Sequence, residues 1–182
     1  MFVKIAGRKS ETPRFGLTLA LVLLLCSFAL PAAAAPPQDL SFTFDVIYSP
    51  IPTDQGVGTW SSGGLFSGSG VVHETYVVGG FDNCWKTIHT TSVLTGPTPE
   101  DTITIRMQVV RIEEGPPLPP PLPSLCSTIT ADGNWVVQAA TGIYAGLHGR
   151  GEATISAEFQ PNPGGFLELF VHSELQGGGH SR

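Results

Sequence analysis

The sequence predicts an all-β domain, an eight-stranded antiparallel barrel, with a two-sheet sandwich as the alternative. Three observations carry that expectation. Eight runs rich in β-branched and aromatic residues recur along the chain, several alternating apolar and polar residues at period two. Between them no segment of ten or more residues shows a helical period. The runs are separated by short turns of Gly, Pro, Asn and Asp, which argues for consecutive antiparallel pairing. With eight strands, closure removes both exposed edges. It leaves an interior wide enough for side chains or one small ligand.

The first 35 residues are expected to lie outside this domain. Lys4, Arg8, Lys9 and Arg14 precede an apolar run from Phe15 to Leu30, followed by Pro31 and Ala32 to Ala35. This is the pattern of a secretory signal peptide cleaved near Ala34 or Ala35. The run is shorter than the roughly 20 residues that span a bilayer, and no membrane anchor is expected after cleavage. Leu25 before Cys26 does not fit a lipidation site. The localisation implied is secreted, or extracytoplasmic.

The domain is expected over residues 36–176. Ser41–Tyr48 alternates, with Phe42, Phe44, Val46 and Tyr48 on one face, and Pro50 and Pro52 end it. Gly58–Ser67 and Val71–Val78 form a hairpin whose turn is expected at Gly68-Ser69-Gly70. Gly79-Gly80 and Asp82-Asn83 mark the next turn. Cys84–Thr95 is rich in Thr, Val and Ile, which suit a half-buried pleated surface. After Gly96–Pro99, Thr102–Ile112 places Ile103, Ile105, Met107 and Val109 on one face and Arg106 on the other. Residues 115–124 (GPPLPPPLPS) read as a stiff polyproline connector. Asn134–Ala140, Glu152–Phe159 and Phe166–Leu175 complete the set. The tail 177–182 is expected to be disordered because of its glycines.

Without the first 35 residues, five basic side chains stand against fourteen acidic ones, a net charge of about −9. Such a surface repels phosphate backbones and anionic headgroups, so nucleic acid is not expected as a partner. Two cysteines remain, Cys84 and Cys126, and export makes one disulfide the simple reading. In the chain-entropy model that bridge contributes roughly 4 kcal/mol.

The stretch Thr141-Gly142-Ile143-Tyr144-Ala145-Gly146-Leu147-His148-Gly149-Arg150-Gly151 resembles the turn of bacterial proteins in the allene oxide cyclase-like barrel superfamily. More loosely it is similar to the dirigent-protein turn. GLFSGSGVVHET, DTITIRMQ and GNWVV extend the resemblance over most of residues 40–160. It implies a small secreted barrel. Independently of any family, Gly142, Gly146, Gly149 and Gly151 permit positive φ and close backbone approach. They let a short turn fold under the barrel, with Tyr144 and Leu147 plugging its end.

No nucleophile–base constellation stands out. Ser61 and Ser62 lack the G-x-S-x-G context. His73-Glu74 begins an HExxH pattern that Val77 breaks, and on a strand the pair would face opposite ways. His89, His148, His172 and His180 have no metal-ligand spacing, so neither a metal site nor a cofactor is expected. Cyclases of the resembled class confine an apolar substrate, and a glutamate takes part in some. Glu74 shares its face with Val72, Tyr76 and Val78, and the alternation leaves two placements open. Facing outward, or against another subunit, is the expected one; facing inward, Glu74 would be a catalytic candidate with its pKa raised by desolvation. Tyr76, Trp85 and His89 are the candidates for contacting a ligand, with His89 more simply read as a satisfied structural histidine.

Three functions follow. The first is a binding module that holds a small apolar ligand in the barrel. The second is a cyclase or isomerase using Glu74. The third is a barrel with a filled core whose outer face forms homo-oligomers. A cavity above roughly 300 Å³ with a convergent carboxylate would favour the first two.

Overall fold

The computed structural model describes residues 36–49, 53–78, 81–82, 84–85, 88–116 and 126–181. Its strands are β1 (Gln38–Tyr48), β2 (Gln55–Gly64), β3 (Gly68–Val78), β4 (Phe81–Asp82), β5 (Cys84–Trp85), β6 (Ile88–Thr95), β7 (Thr102–Glu114), β8 (Thr128–Ala140), β9 (His148–Pro161) and β10 (Leu167–His180). Eight of them close into a barrel in the order β1-β10-β9-β8-β7-β6-β3-β2, every neighbouring pair antiparallel. The two-residue strands β4 and β5 pair only with each other. A closed ring excludes the sandwich.

Alternation decides which side chains fill the ring. β1 turns Leu40, Phe42, Phe44, Val46 and Tyr48 inward, all at most 2% exposed. β7 does the same with Ile103, Ile105, Met107 and Val109, leaving Arg106 on the exposed face. The β7–β8 register shifts between Val109 and Arg111. Val110 is the extra residue of that bulge and lies 68% exposed, while inward parity passes to Ile112.

Two features differ from the sequence expectation. β3 begins at Gly68, paired with Ser62, so the β2–β3 turn occupies residues 65–67 and not Gly68-Ser69-Gly70. Gly64 carries the turn's left-handed backbone, with φ 84°. The glycine-rich tail is not disordered through residues 177–180. It continues β10, pairing Gly177 with both Leu40 and Gly151 and so sealing the barrel. These glycines serve close packing. A Cβ on Gly177 would stand 2.2 Å from the Arg150 carbonyl oxygen, and one on Gly151 would stand 2.0 Å from that of Gln176.

The barrel has two unlike ends. At one, the turns 65–67, 96–101 and 141–147 gather under a tight aromatic plug. Tyr144, on a single 3-10 turn (Gly142–Tyr144), packs against Phe66 at 5.3 Å and Trp60 at 6.1 Å between ring centroids. Phe42 continues the stack to Trp135 at 5.6 Å. Leu147 is 5% exposed beside it. Gly142 and Gly146 have φ of 57° and 82°, the left-handed conformation that a side chain disfavours. Gly149 lies on β9, where a Cβ would come within 2.6 Å of Leu40 Cδ2. Asp101 anchors the turn. Its Oδ1 accepts from the Ile143 N–H at 2.9 Å, and its Oδ2 from the Thr98 hydroxyl at 2.8 Å.

At the opposite end β1, β3, β7 and β9 finish and β2, β6, β8 and β10 begin. The proline run from Pro117 to Leu125 and the Gly79-Gly80 turn lie outside the described residues, as do residues 1–35 and Arg182. Cys126 is buried. The side chain of its expected partner Cys84 lies outside the described set.

Candidate functional site

Strand β3 carries a carboxyl group into the interior. Val72 and Glu74 point inward at 0% and 2% exposure, and His73 points out. This corrects the expected outward placement of the Val72–Glu74–Tyr76 face. Val72 belongs to the apolar core, and β3 is flanked on both sides by barrel strands, so its buried face must be the concave one.

Glu74 meets two hydroxyl groups. Tyr48 on β1 donates to Oε1 at 2.6 Å, and Ser92 on β6 donates to Oε2 at 2.6 Å. Ser92 is its direct cross-strand partner. Tyr48 reaches it across β2. Among the described residues no cation pairs with this carboxyl. Burial therefore dominates and drives the Glu74 pKa up, against the two hydrogen bonds that favour the ionised form. The neutral acid is the form the barrel favours. Burial, before any effect of the neighbouring Glu74, raises the Tyr48 phenol above its usual value as well.

Beside this cluster is a cavity of about 30 Å³. Apolar side chains of Ile88, Ile129, Ala131, Ile155, Ala157, Leu169 and Val171 make up most of its wall. Tyr76 lines it too, half-buried, with its ring 5.1 Å from that of Tyr48 and its hydroxyl donating to the Thr53 carbonyl at 2.9 Å. Two further hydroxyl groups line the same space. Thr90 Oγ1 and Ser173 Oγ are buried and have no hydrogen-bond partner among the described residues. A buried polar atom left without a partner is costly, on the order of 1–3 kcal/mol.

With Glu74 neutral, Tyr48, Glu74 and Ser92 hold three hydroxyl protons for two contacts. One proton is left over, and Thr90 and Ser173 add one each. The chamber is thus a donor-rich spot in an apolar wall, suited to an acceptor atom. Its volume suffices for a water molecule, which needs about 10–15 Å³ on the same measure, and falls far short of the roughly 300 Å³ of a drug-sized pocket.

The other sequence candidates separate. His89 on β6 lies on the opposite face from Ile88 and Thr90, away from the chamber. It is not the satisfied histidine expected, since its buried Nδ1 has no hydrogen-bond partner among the described residues. A strand that must turn Ile88, Thr90, Ser92 and Leu94 inward has no freedom to aim His89 there as well. The side chain of Trp85 lies outside the described residues. Sequence reading missed Tyr48, Ser92, Thr90 and Ser173. Tyr48 was legible only as an apolar-face strand residue, and three small hydroxyl residues in Thr- and Ser-containing strands carry no signal of their own. In comparisons with known proteins, the chain matches no family model, no curated protein and no solved structure.

Proposed function

We propose that this chain is an exported small-ligand-binding barrel of the allene oxide cyclase-like class, with the Glu74 chamber as its site. The observation that supports this reading is the convergence of Tyr48, Glu74, Thr90 and Ser173 on one apolar-walled cavity, with Ser92 hydrogen-bonded to Glu74 behind it. The ligand has a compact head bearing a neutral oxygen acceptor, such as a carbonyl or ether. Its apolar body lies along Tyr76, Ile88 and Val171, toward the barrel end opposite the Tyr144 plug. The Thr141–Gly151 turn supports the class, and the apolar run Phe15–Leu30 supports export.

The test is native mass spectrometry of protein purified from its own host. A co-purifying apolar compound, absent from Glu74→Ala protein that keeps the wild-type circular dichroism spectrum, is the expected result. The small cavity favours a second reading, a filled-core barrel that acts through its outer face. Protein that carries no compound and runs as a homo-oligomer would establish that reading instead.

A further inference from the structure

His148 and His180 are 32 residues apart in sequence and directly opposite each other in the barrel. They form the last pair of the β9–β10 ladder, at the end plugged by Tyr144. Both are exposed. Their rings are stacked, with centroids 5.2 Å apart and planes 27° from parallel. Among the described residues no hydrogen bond engages either ring, so their nitrogen lone pairs are uncommitted. We propose that His148 and His180 form a cross-strand chelate for a divalent transition-metal ion.

The geometry is suited to one ion. Metal–imidazole bonds run about 2.0–2.1 Å, so two nitrogens roughly 3 Å apart share a metal. The rings start 5.2 Å apart, and side-chain rotation is the adjustment that the chelate asks of them. The backbone does not have to move, because the β9–β10 register already holds the two Cβ atoms together. Imidazole is a borderline ligand that suits copper, nickel and zinc, and copper(II) binds tightest in the divalent series. Two protein nitrogens leave the remaining positions to water. Arg150, two residues along β9 on the same face, opposes a cation and places this site below a three-ligand one in affinity. Among the described residues no group of three or more His, Cys, Asp or Glu side chains gathers elsewhere.

Calorimetric titration of the full mature chain, produced without a histidine tag, with copper(II) at pH 7.5 tests this. One ion per chain is expected. His148→Gln and His180→Gln should each weaken binding at least tenfold, and the double variant should weaken it little further than either single one, since one ring alone is no chelate. His172→Gln should leave binding unchanged. Because both sites are exposed, the variants are expected to keep the wild-type circular dichroism spectrum. A loss of less than tenfold in either single variant would overturn the proposal.

Discussion

The Tyr48 hydroxyl donates to Glu74 Oε1 across 2.6 Å although β2 lies between their strands. Gly56, the β2 residue paired with Glu74, makes the contact possible. A Cβ there would stand 2.8 Å from the Tyr48 ring and 2.5 Å from Val46 Cγ1. Gly56→Ala should therefore push the ring off Glu74 and destabilise by about 1–3 kcal/mol, as overpacking does. Urea denaturation measures this, and an unchanged midpoint would show that the ring is not held by the missing side chain.

Glu74 should make stability fall as pH rises. Its pKa in the fold is raised above the unfolded value of about 4.3. The folded chain thus keeps a proton that the unfolded chain releases. Stability from this group is complete below the unfolded pKa and is lost as pH climbs through the folded one. Denaturation midpoints of wild type and Glu74→Gln should diverge across that window, the variant staying flatter. Parallel curves would mean the carboxyl is not carried as the neutral acid.

Asp101 acts in the opposite direction. The Ile143 N–H, and then the Thr98 hydroxyl, hold its pKa below the usual carboxylate range. Its contribution is present above about pH 3.9 and is lost as pH falls through the lowered value. Asp101→Ala should shift acid unfolding to higher pH. The same acid midpoint in both proteins would remove Asp101 as the anchor of the Tyr144 turn.

Tyr144→Ala empties the plug under Trp60 and Phe66. Large aromatic truncations in cores cost about 3–5 kcal/mol. Near-normal thermal unfolding of this variant would refute the plug.

Gly177→Ala tests the last strand. The new methyl would meet the Arg150 carbonyl at 2.2 Å, a backbone atom with no side-chain freedom to yield. We expect lower thermal stability, and lower still for a chain ending at Gln176, which loses the pairs from Gly177 to His180. Wild-type melting of the truncated chain would return these residues to the status of a tail. Separately, the Cys84–Cys126 bridge expected from the sequence is checked by intact mass under non-reducing conditions, where two thiol hydrogens remaining on the chain would refute it.

What the sequence by itself determined was local. Period-two alternation in Phe42–Tyr48 and Ile103–Val109 depends only on which neighbours are apolar, so strands and their buried faces were legible. The motif at Thr141–Gly151 was legible as a turn because backbone conformation at Gly142 and Gly146 is a property of those residues. Glu74 was visible as an oddity on its strand, yet which face it takes depends on the strands on either side, β2 and β6. The tail misled for a related reason. Glycine signals freedom in an isolated chain, while at Gly151 and Gly177 it permits two backbones to touch. Tertiary structure alone decided that Tyr48 and Ser92 meet Glu74, that Thr90 and Ser173 line the cavity beside it, and that His148 meets His180. The Glu74 cluster draws on four strands of a closed ring, whose register is set by the sum of all its pairings, and His148 meets His180 only through the register of the long β9–β10 hairpin; no local pattern encodes either.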